Sequence, residues 1–249
     1  MAQVALVTGS GKRRVGFHIA EALAGHGYDI AVHYRSSARE AVDTVAYLKS
    51  LGVKAEPFRA ELSDEDSVKR MIADVLGSFG QIDVLVNAAA VWQPIRLEDV
   101  TAADVRANFE ANTLGTFLCC QHVGLWMVAQ RTGGCIINIG DWAEIRPYPD
   151  YAHYFPSKAA IPGLTRMFAV ELGNRNPRIR VNAILPGPVM LPESLPEAER
   201  QEAINATLVK REGSPENVAK AVLSLVDNDF ITGVCLPVDG GRSIYAGGF

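Results

Sequence analysis

The chain is predicted to fold as an α/β domain, with a doubly wound parallel sheet of about seven strands and helices on both faces. Three observations predict it. Short apolar runs alternate with longer helical stretches along the whole length, the pattern of repeated strand–helix units. The apolar runs are continuous rather than alternating, as expected of strands covered on both faces. The chain has 249 residues, 48% of them hydrophobic and 21% charged, enough for one full domain with a large core. No repeat, low-complexity stretch or linker interrupts it, so residues 1–249 are expected to form a single domain.

The strands are expected at residues 4–7, 29–33, 54–59, 84–86, 135–139, 180–185 and 234–237. The helices between them are expected at 16–25, 38–51, 64–79, 103–130, 157–172 and 215–225. Segment 189–213 follows a strand end, is broken by prolines and carries no strand pattern, which makes it the expected substrate lid.

Composition excludes several classes. A net charge of −4 argues against nucleic acid or an anionic membrane surface. Cys119, Cys120, Cys135 and Cys235 show no CxxC spacing and sit among apolar residues, as core residues in a reducing compartment do. The five histidines are scattered, so no metal site is expected. The first strand begins almost at once, with no signal peptide ahead of it, and no apolar run approaches the roughly 20 residues of a membrane span. A cytoplasmic protein is expected.

Between the first strand and the first helix lies Thr8-Gly9-Ser10-Gly11-Lys12-Arg13-Arg14-Val15-Gly16. Glycines at such a turn let the backbone approach a pyrophosphate, and the helix N-terminus favours its charge. Alone, such a turn merely connects elements in many proteins. Placed after the first strand of a doubly wound, Rossmann-type sheet, it points to a dinucleotide. The second strand ends in His33-Tyr34-Arg35-Ser36-Ser37. A site for NAD calls for an acid there. Arginine suits a 2′-phosphate instead, so NADPH is the expected cofactor, with Arg14 and Arg35 both candidates for the phosphate. The bland alternative is that Lys12, Arg13 and Arg14 only keep a loop soluble.

Tyr154 and Lys158 are i and i+4 at a helix start and share a face. A lysine beside a phenol is expected to lower its pKa and make it a better proton relay. Asp141, in Asn138-Ile139-Gly140-Asp141, precedes them at a strand end. A carboxyl there can shuttle a proton to a ring nitrogen or hold an amino-substituted heterocycle. Alternatively it caps a helix or pairs with Arg146. Asn112 lies upstream within a helical stretch. It is either the holder of a water that passes protons to Lys158 or a polar residue bridging a kink.

Thr8-Gly9 with Gly16, Asn87-Ala88-Ala89, Asn112, Tyr154 with Lys158, Pro186-Gly187 and Val238-Asp239-Gly240-Gly241 together resemble the short-chain dehydrogenase/reductase family over residues 4–241. Within it the chain is similar to the pteridine reductases and the related dihydromonapterin and dihydrofolate reductases. Four features carry that narrower resemblance: Arg14 in the phosphate turn, His33-Tyr34-Arg35-Ser36, Asp141 in place of serine, and Trp92 after the Asn87 segment. The resemblance implies that Gly9, Arg14, Val15, His33, Tyr34, Arg35, Ser36, Glu61, Leu62, Asn87, Ala88, Ala89, Pro186 and Gly187, with Tyr154 and Lys158, bind the cofactor. It also implies that Trp92 stacks on a pterin whose nitrogens face Asp141 and Tyr154, with Val189 also binding the substrate. The alternative for Trp92 is an ordinary, partly buried tryptophan.

Three departures stand out. The phosphate turn is one residue longer than usual, Ala90 replaces a glycine, and Glu61 stands where aspartate is usual on the adenine side.

The expected reaction is NADPH-dependent reduction of a pterin C=N bond, with Asp141, Tyr154, Lys158 and Asn112 catalytic. The alternatives are an NADPH-dependent reductase of a ketone or 3-oxoacyl thioester and, from another class, a non-catalytic NADPH-binding regulator. A homotetramer is expected through the long helices, with the 244–249 tail docking on a partner subunit.

Overall fold

The computed structural model describes residues 2–245, so residues 246–249 of the expected docking tail lie outside the described part. β1 (Val4–Thr8), β2 (Asp29–Tyr34), β3 (Ala55–Arg59), β4 (Val84–Asn87), β5 (Gly134–Ile139), β6 (Ile179–Pro186) and β7 (Cys235–Val238) form one parallel sheet. Their order is β3-β2-β1-β4-β5-β6-β7. The chain therefore winds outward in one direction from β1 and then in the other from β4. The crevice at the carboxyl ends of β1 and β4 is the switch point where such sheets bind ligands.

Side-chain alternation along the strands feeds two cores. On one face Ala5, Val7, Ile30 and Val32 pack with α1 (Val15–Gly25), α2 (Ala38–Ser50) and α8 (Pro215–Asp227), through Ile19, Leu23, Val45 and Val222. On the other, Leu6, Ala31, Leu85 and Ile136 meet α3 (Glu65–Phe79), α5 (Gly115–Ala129) and α6 (Phe155–Gly173), through Met71, Val75, Val123 and Phe168. Local signals set the helix ends. Asp64 accepts the amides of Asp66 and Ser67 at the start of α3, and Gly80 closes it in the left-handed conformation at φ 80°. Ser214 and Asn217 form a capping box ahead of Pro215 on α8.

Two expectations change. The predicted helix over 103–130 is interrupted: α4 (Ala102–Asn108) passes into a π-helical turn over Phe109–Leu114 before α5 begins. Tertiary bonds made by Asn112 hold that turn, and π-bulges of this kind gather at functional sites. Segment 189–213 contains a further helix, α7 (Glu197–Asn205), none of whose residues is buried. A helix with no apolar face leaves no periodic signal in the sequence. Among the described residues no helix is long and apolar enough to cross a membrane.

Candidate active site

The phosphate turn closes tightly on the sheet. Gly9 has φ +67°, and a Cβ there would lie 2.8 Å from the Cα of Ala89. A Cβ on Gly16 would lie 2.9 Å from the Gly9 carbonyl oxygen. Both positions therefore require glycine, and residues 11–14 between them form bends and turns. At the start of α1 the amides of Phe17 and His18 return to the Arg14 carbonyl, while those of Val15 and Gly16 occupy the first helical turn with no intrahelical acceptor. This cradle fits a pyrophosphate.

The three cations of the turn separate. Lys12 lies 3.6 Å from Glu40. The Arg13 guanidinium sits over the rings of Phe17 and Tyr47, at 4.6 and 5.3 Å from their centroids. Arg14 precedes α1 as its N-cap residue, exposed and without an ion pair among the described residues. At the end of β2, Arg35 and Ser36 are exposed, and Arg35 lies 3.8 Å from the equally exposed Glu61. Tyr34 packs its Cβ where a side chain on Gly11 would go. Leu62 is buried beneath Gly115. A cleft of about 400 Å³ runs past Arg35, Glu61, Val91 and Trp92 to His153.

Several expected contacts are corrected. His33 does not face the cleft: it is buried, with both ring nitrogens engaged by Gly9 and Ala60. The Asn87 side chain turns inward to Asn138 at 2.9 Å, and the amides of Ala88 and Ala89 both donate to the Thr8 hydroxyl. Val189, expected at the substrate, is buried and packs in the core. Pro186-Gly187 abuts β7, where a Cβ on Gly187 would lie 2.5 Å from the Asp239 Cα.

At the carboxyl end of β5, Asp141 caps a short 3-10 turn over Trp142–Glu144, its Oδ1 accepting the Ala143 amide at 2.9 Å. Its Oδ2 accepts the Tyr154 hydroxyl at 2.8 Å. The carboxyl is thus both a cap and a partner of the phenol, and Arg146 is engaged elsewhere, with the carbonyls of Arg242 and Tyr245. Burial raises the Asp141 pKa, against the Ala143 amide, the Tyr154 hydroxyl and the Lys158 charge. Lys158, at the start of α6, donates to the Ile139 carbonyl at 2.8 Å. Burial lowers its pKa to about 8, and the Asp141 charge opposes that shift.

The expectation that Lys158 lowers the Tyr154 pKa is reversed. Burial, and then the charge and hydrogen bond of Asp141, raise Tyr154 well above its usual range. The Asn112 side chain is engaged within the fold. Its Oδ1 accepts the Val91 amide at 2.8 Å, and its Nδ2 donates to the Val91 carbonyl at 3.1 Å and to Ser157 Oγ at 3.0 Å. With both ends of the amide used, it clamps the β4–α4 loop against α6 and bridges the helical irregularity.

Trp92 stacks face to face on Tyr151, with centroids 5.1 Å apart and planes 14° apart. Tyr151 meets Tyr148, Tyr154 and Phe155 edge-on or tilted, so an aromatic wall continues from the cleft to the phenol. Tyr148 and Tyr151 carry no motif in the sequence that marks them as part of the site. The aromatic-rich run from Trp142 to Phe155 was the available signal.

Comparison with known proteins agrees with this architecture. The family model described as enoyl-(acyl carrier protein) reductase matches residues 10–243. The chain is 34% identical over 245 residues to the 3-oxoacyl-[acyl-carrier-protein] reductase FabG of Staphylococcus aureus, covering 97% of this chain and 98% of that one. It is 35% identical over 251 residues to a short-chain dehydrogenase/reductase of Armillaria gallica, covering 96% and 95%. The crystal structure of acetoin dehydrogenase from Enterobacter cloacae superposes with a TM-score of 0.88 at 33% identity, covering 100% of this chain and 98% of that one. None of these relatives is a pteridine reductase, so the comparisons carry the broader resemblance and not the narrower one. The chain belongs to the short-chain dehydrogenase/reductase family of oxidoreductases, which use a nicotinamide dinucleotide.

Proposed function

We propose that this chain is an NADPH-dependent reductase of a planar nitrogen heterocycle, acting on a dihydropteridine-type C=N bond. The observation that carries this reading is the Tyr154–Asp141 hydrogen bond at 2.8 Å. A carboxyl joined to the phenol can accept an N–H or amino group of a heterocycle and pass a proton to an adjacent ring nitrogen, which a serine hydroxyl does less well. Bound NADPH supplies the hydride. Arg14, Arg35 and Ser36 hold the 2′-phosphate, and the free amides of Val15 and Gly16 face the pyrophosphate. The backbone about Glu61, Ala88, Ala89 and Pro186-Gly187 walls the crevice. Lys158 would hold the ribose of the bound dinucleotide, Trp92 with Tyr151 would offer a flat apolar face to the substrate, and Tyr154 with Asp141 would deliver the proton. Segment 189–213 covers the substrate. It is anchored where Gly213 donates to the Pro188 carbonyl and where Arg200 pairs with Glu212 at 2.6 Å. Leu125, Trp126, Met167 and Val170 are exposed on α5 and α6, an apolar strip that supports assembly into a homotetramer.

A second reading is favoured by the names of the relatives: NADPH-dependent reduction of a ketone or 3-oxoacyl thioester. It uses the same Tyr154 and Lys158 and makes Asp141 a structural variant. A non-catalytic NADPH-binding regulator has no use for a buried phenol–carboxyl pair. The test is NADPH oxidation with 7,8-dihydrobiopterin beside a panel of ketones and a 3-oxoacyl thioester. Turnover of the pterin well above the panel is expected. Turnover of the panel alone establishes the second reading, and tight NADPH binding with no turnover establishes the regulator.

A further inference from the structure

The imidazole of His33 is 2% exposed, at the carboxyl end of β2. Its Nδ1 lies 3.0 Å from the Gly9 amide nitrogen, whose only role is donor. Nδ1 is therefore the unprotonated nitrogen, and the proton of the neutral ring sits on Nε2, 3.2 Å from the Ala60 carbonyl oxygen. The two partners fix the tautomer between them. Burial also keeps the ring neutral, lowering its pKa to about 4. The same residue holds the turn a second time, since its carbonyl accepts the Gly11 amide at 3.3 Å.

What His33 joins matters more than how tightly it is held. Gly9 is the pivot of the phosphate turn, packed against Ala89 just beyond the end of β4. Ala60 immediately precedes Glu61-Leu62, on the adenine side of the cleft. The ring thus spans β2 and connects the pyrophosphate end of the crevice to its adenine end. It also satisfies the Gly9 amide internally, so that amide is not offered to a ligand.

We propose that His33 is a positioning residue for the dinucleotide, a neutral Nε2-protonated imidazole that ties the Gly9 turn to the Ala60–Glu61 segment and touches no part of the dinucleotide itself. This rests on the reading that the crevice holds NADPH. Without the acceptor at Nδ1 the Gly9 amide has no partner in the folded chain, and the turn populates other conformations. Binding must then reorder it, and apparent affinity falls by the fraction of chains that remain competent.

Three variants separate the two bonds. His33→Asn places an acceptor where Nδ1 was. His33→Gln places a donor where Nε2 was and leaves Gly9 unpaired. His33→Phe keeps the ring and removes both. The measurements are the NADPH dissociation constant of the purified apoprotein by fluorescence titration, its melting temperature, and KM and kcat. The tautomer is read directly from the imidazole nitrogen chemical shifts of the unliganded protein. Expected are an Nε2–H tautomer and about tenfold or more weaker NADPH binding for the Phe and Gln variants. Asn should rescue binding to within about threefold, and kcat at saturating NADPH should be nearly unchanged throughout. The proposal is overturned by an Nδ1–H tautomer, by affinity that follows melting temperature rather than the acceptor, or by equal loss in Asn and Gln. That last comparison stands even if Phe fails to fold. If the parent protein binds neither NADPH nor NADH, the cofactor reading itself is wrong, and the tautomer measurement still judges the bridge.

Discussion

The hydroxyl of Tyr154 and the carboxyl of Asp141 form one hydrogen-bonded unit, with Oδ2 accepting the phenolic proton at 2.8 Å while Oδ1 is pinned by the Ala143 amide at 2.9 Å. The cap prevents the carboxyl from rotating away, so the phenol has a fixed partner before any substrate arrives. Both groups are raised in pKa, chiefly by burial, which keeps Tyr154 protonated through the neutral range and suits it to donate. Tyr154→Phe is therefore expected to lower the rate by about two orders of magnitude or more on every substrate. Asp141→Ser should instead separate the substrates: kcat/KM for a dihydropterin falls much further than for a ketone. Equal losses on both would mean that the carboxyl does nothing specific to a heterocycle.

Arg35 and Glu61 approach to 3.8 Å with both side chains about half exposed. Pairs of this kind contribute little in water, so the guanidinium is available to a better anion. Arg35→Ala is expected to weaken NADPH binding by about ten- to a hundredfold, the scale of charge-assisted hydrogen bonds to a phosphate, and to leave NADH binding unchanged. Glu61→Gln, which frees the arginine, should not weaken NADPH. Parallel titrations with both dinucleotides check this, and a parent protein that binds NADH as tightly as NADPH contradicts the phosphate assignment.

Trp92 already lies flat on Tyr151; it lines the cleft and is 37% exposed. Stacking of one more planar ring on the free face adds to an existing array. Trp92→Ala should raise KM for a planar substrate about tenfold, with Trp92→Phe retaining most of the affinity and NADPH binding unaffected in both. A small aliphatic ketone should respond far less, so the ratio of the two KM changes is the informative quantity.

The parallel sheet was legible because strands such as β1 and β4 are continuous apolar runs, which few other arrangements bury. The phosphate turn and the Tyr154–Lys158 pair were legible because their spacing is local. What the sequence hid depends on contacts between distant residues. The π-helical turn at Phe109–Leu114 follows from bonds that Asn112 makes to Val91 and Ser157, and helical periodicity does not record an inserted residue. His33 gave no sign that it faces Gly9 and Ala60 instead of solvent. The sign of the Tyr154 shift is hidden for the same reason: adjacency to Lys158 along the helix is visible in the sequence, while burial and the Asp141 partner that raise the phenol are not.

Glu144 offers a test of the electrostatics around Asp141 that does not depend on activity. It lies on the 3-10 turn that Asp141 caps, and its Oε2 is buried without a hydrogen-bond partner. Burial raises its pKa from the usual 4.5 to about 7, the Asp141 charge adding to the shift and Arg166 opposing it. The folded chain therefore holds this proton more tightly than the unfolded chain does. Between pH 4.5 and about 7 the folded state binds more protons, so the contribution of this group to stability is complete below 4.5 and is lost as pH rises through about 7. Glu144→Gln, which cannot ionise, escapes that loss. Melting temperatures of parent and variant should converge near pH 4.5 and separate in favour of the glutamine variant at pH about 8. A difference that stays constant between those two conditions would mean that the carboxyl reaches solvent or a counter-charge in solution, and that the low-dielectric setting which also raises Asp141 does not extend to this turn.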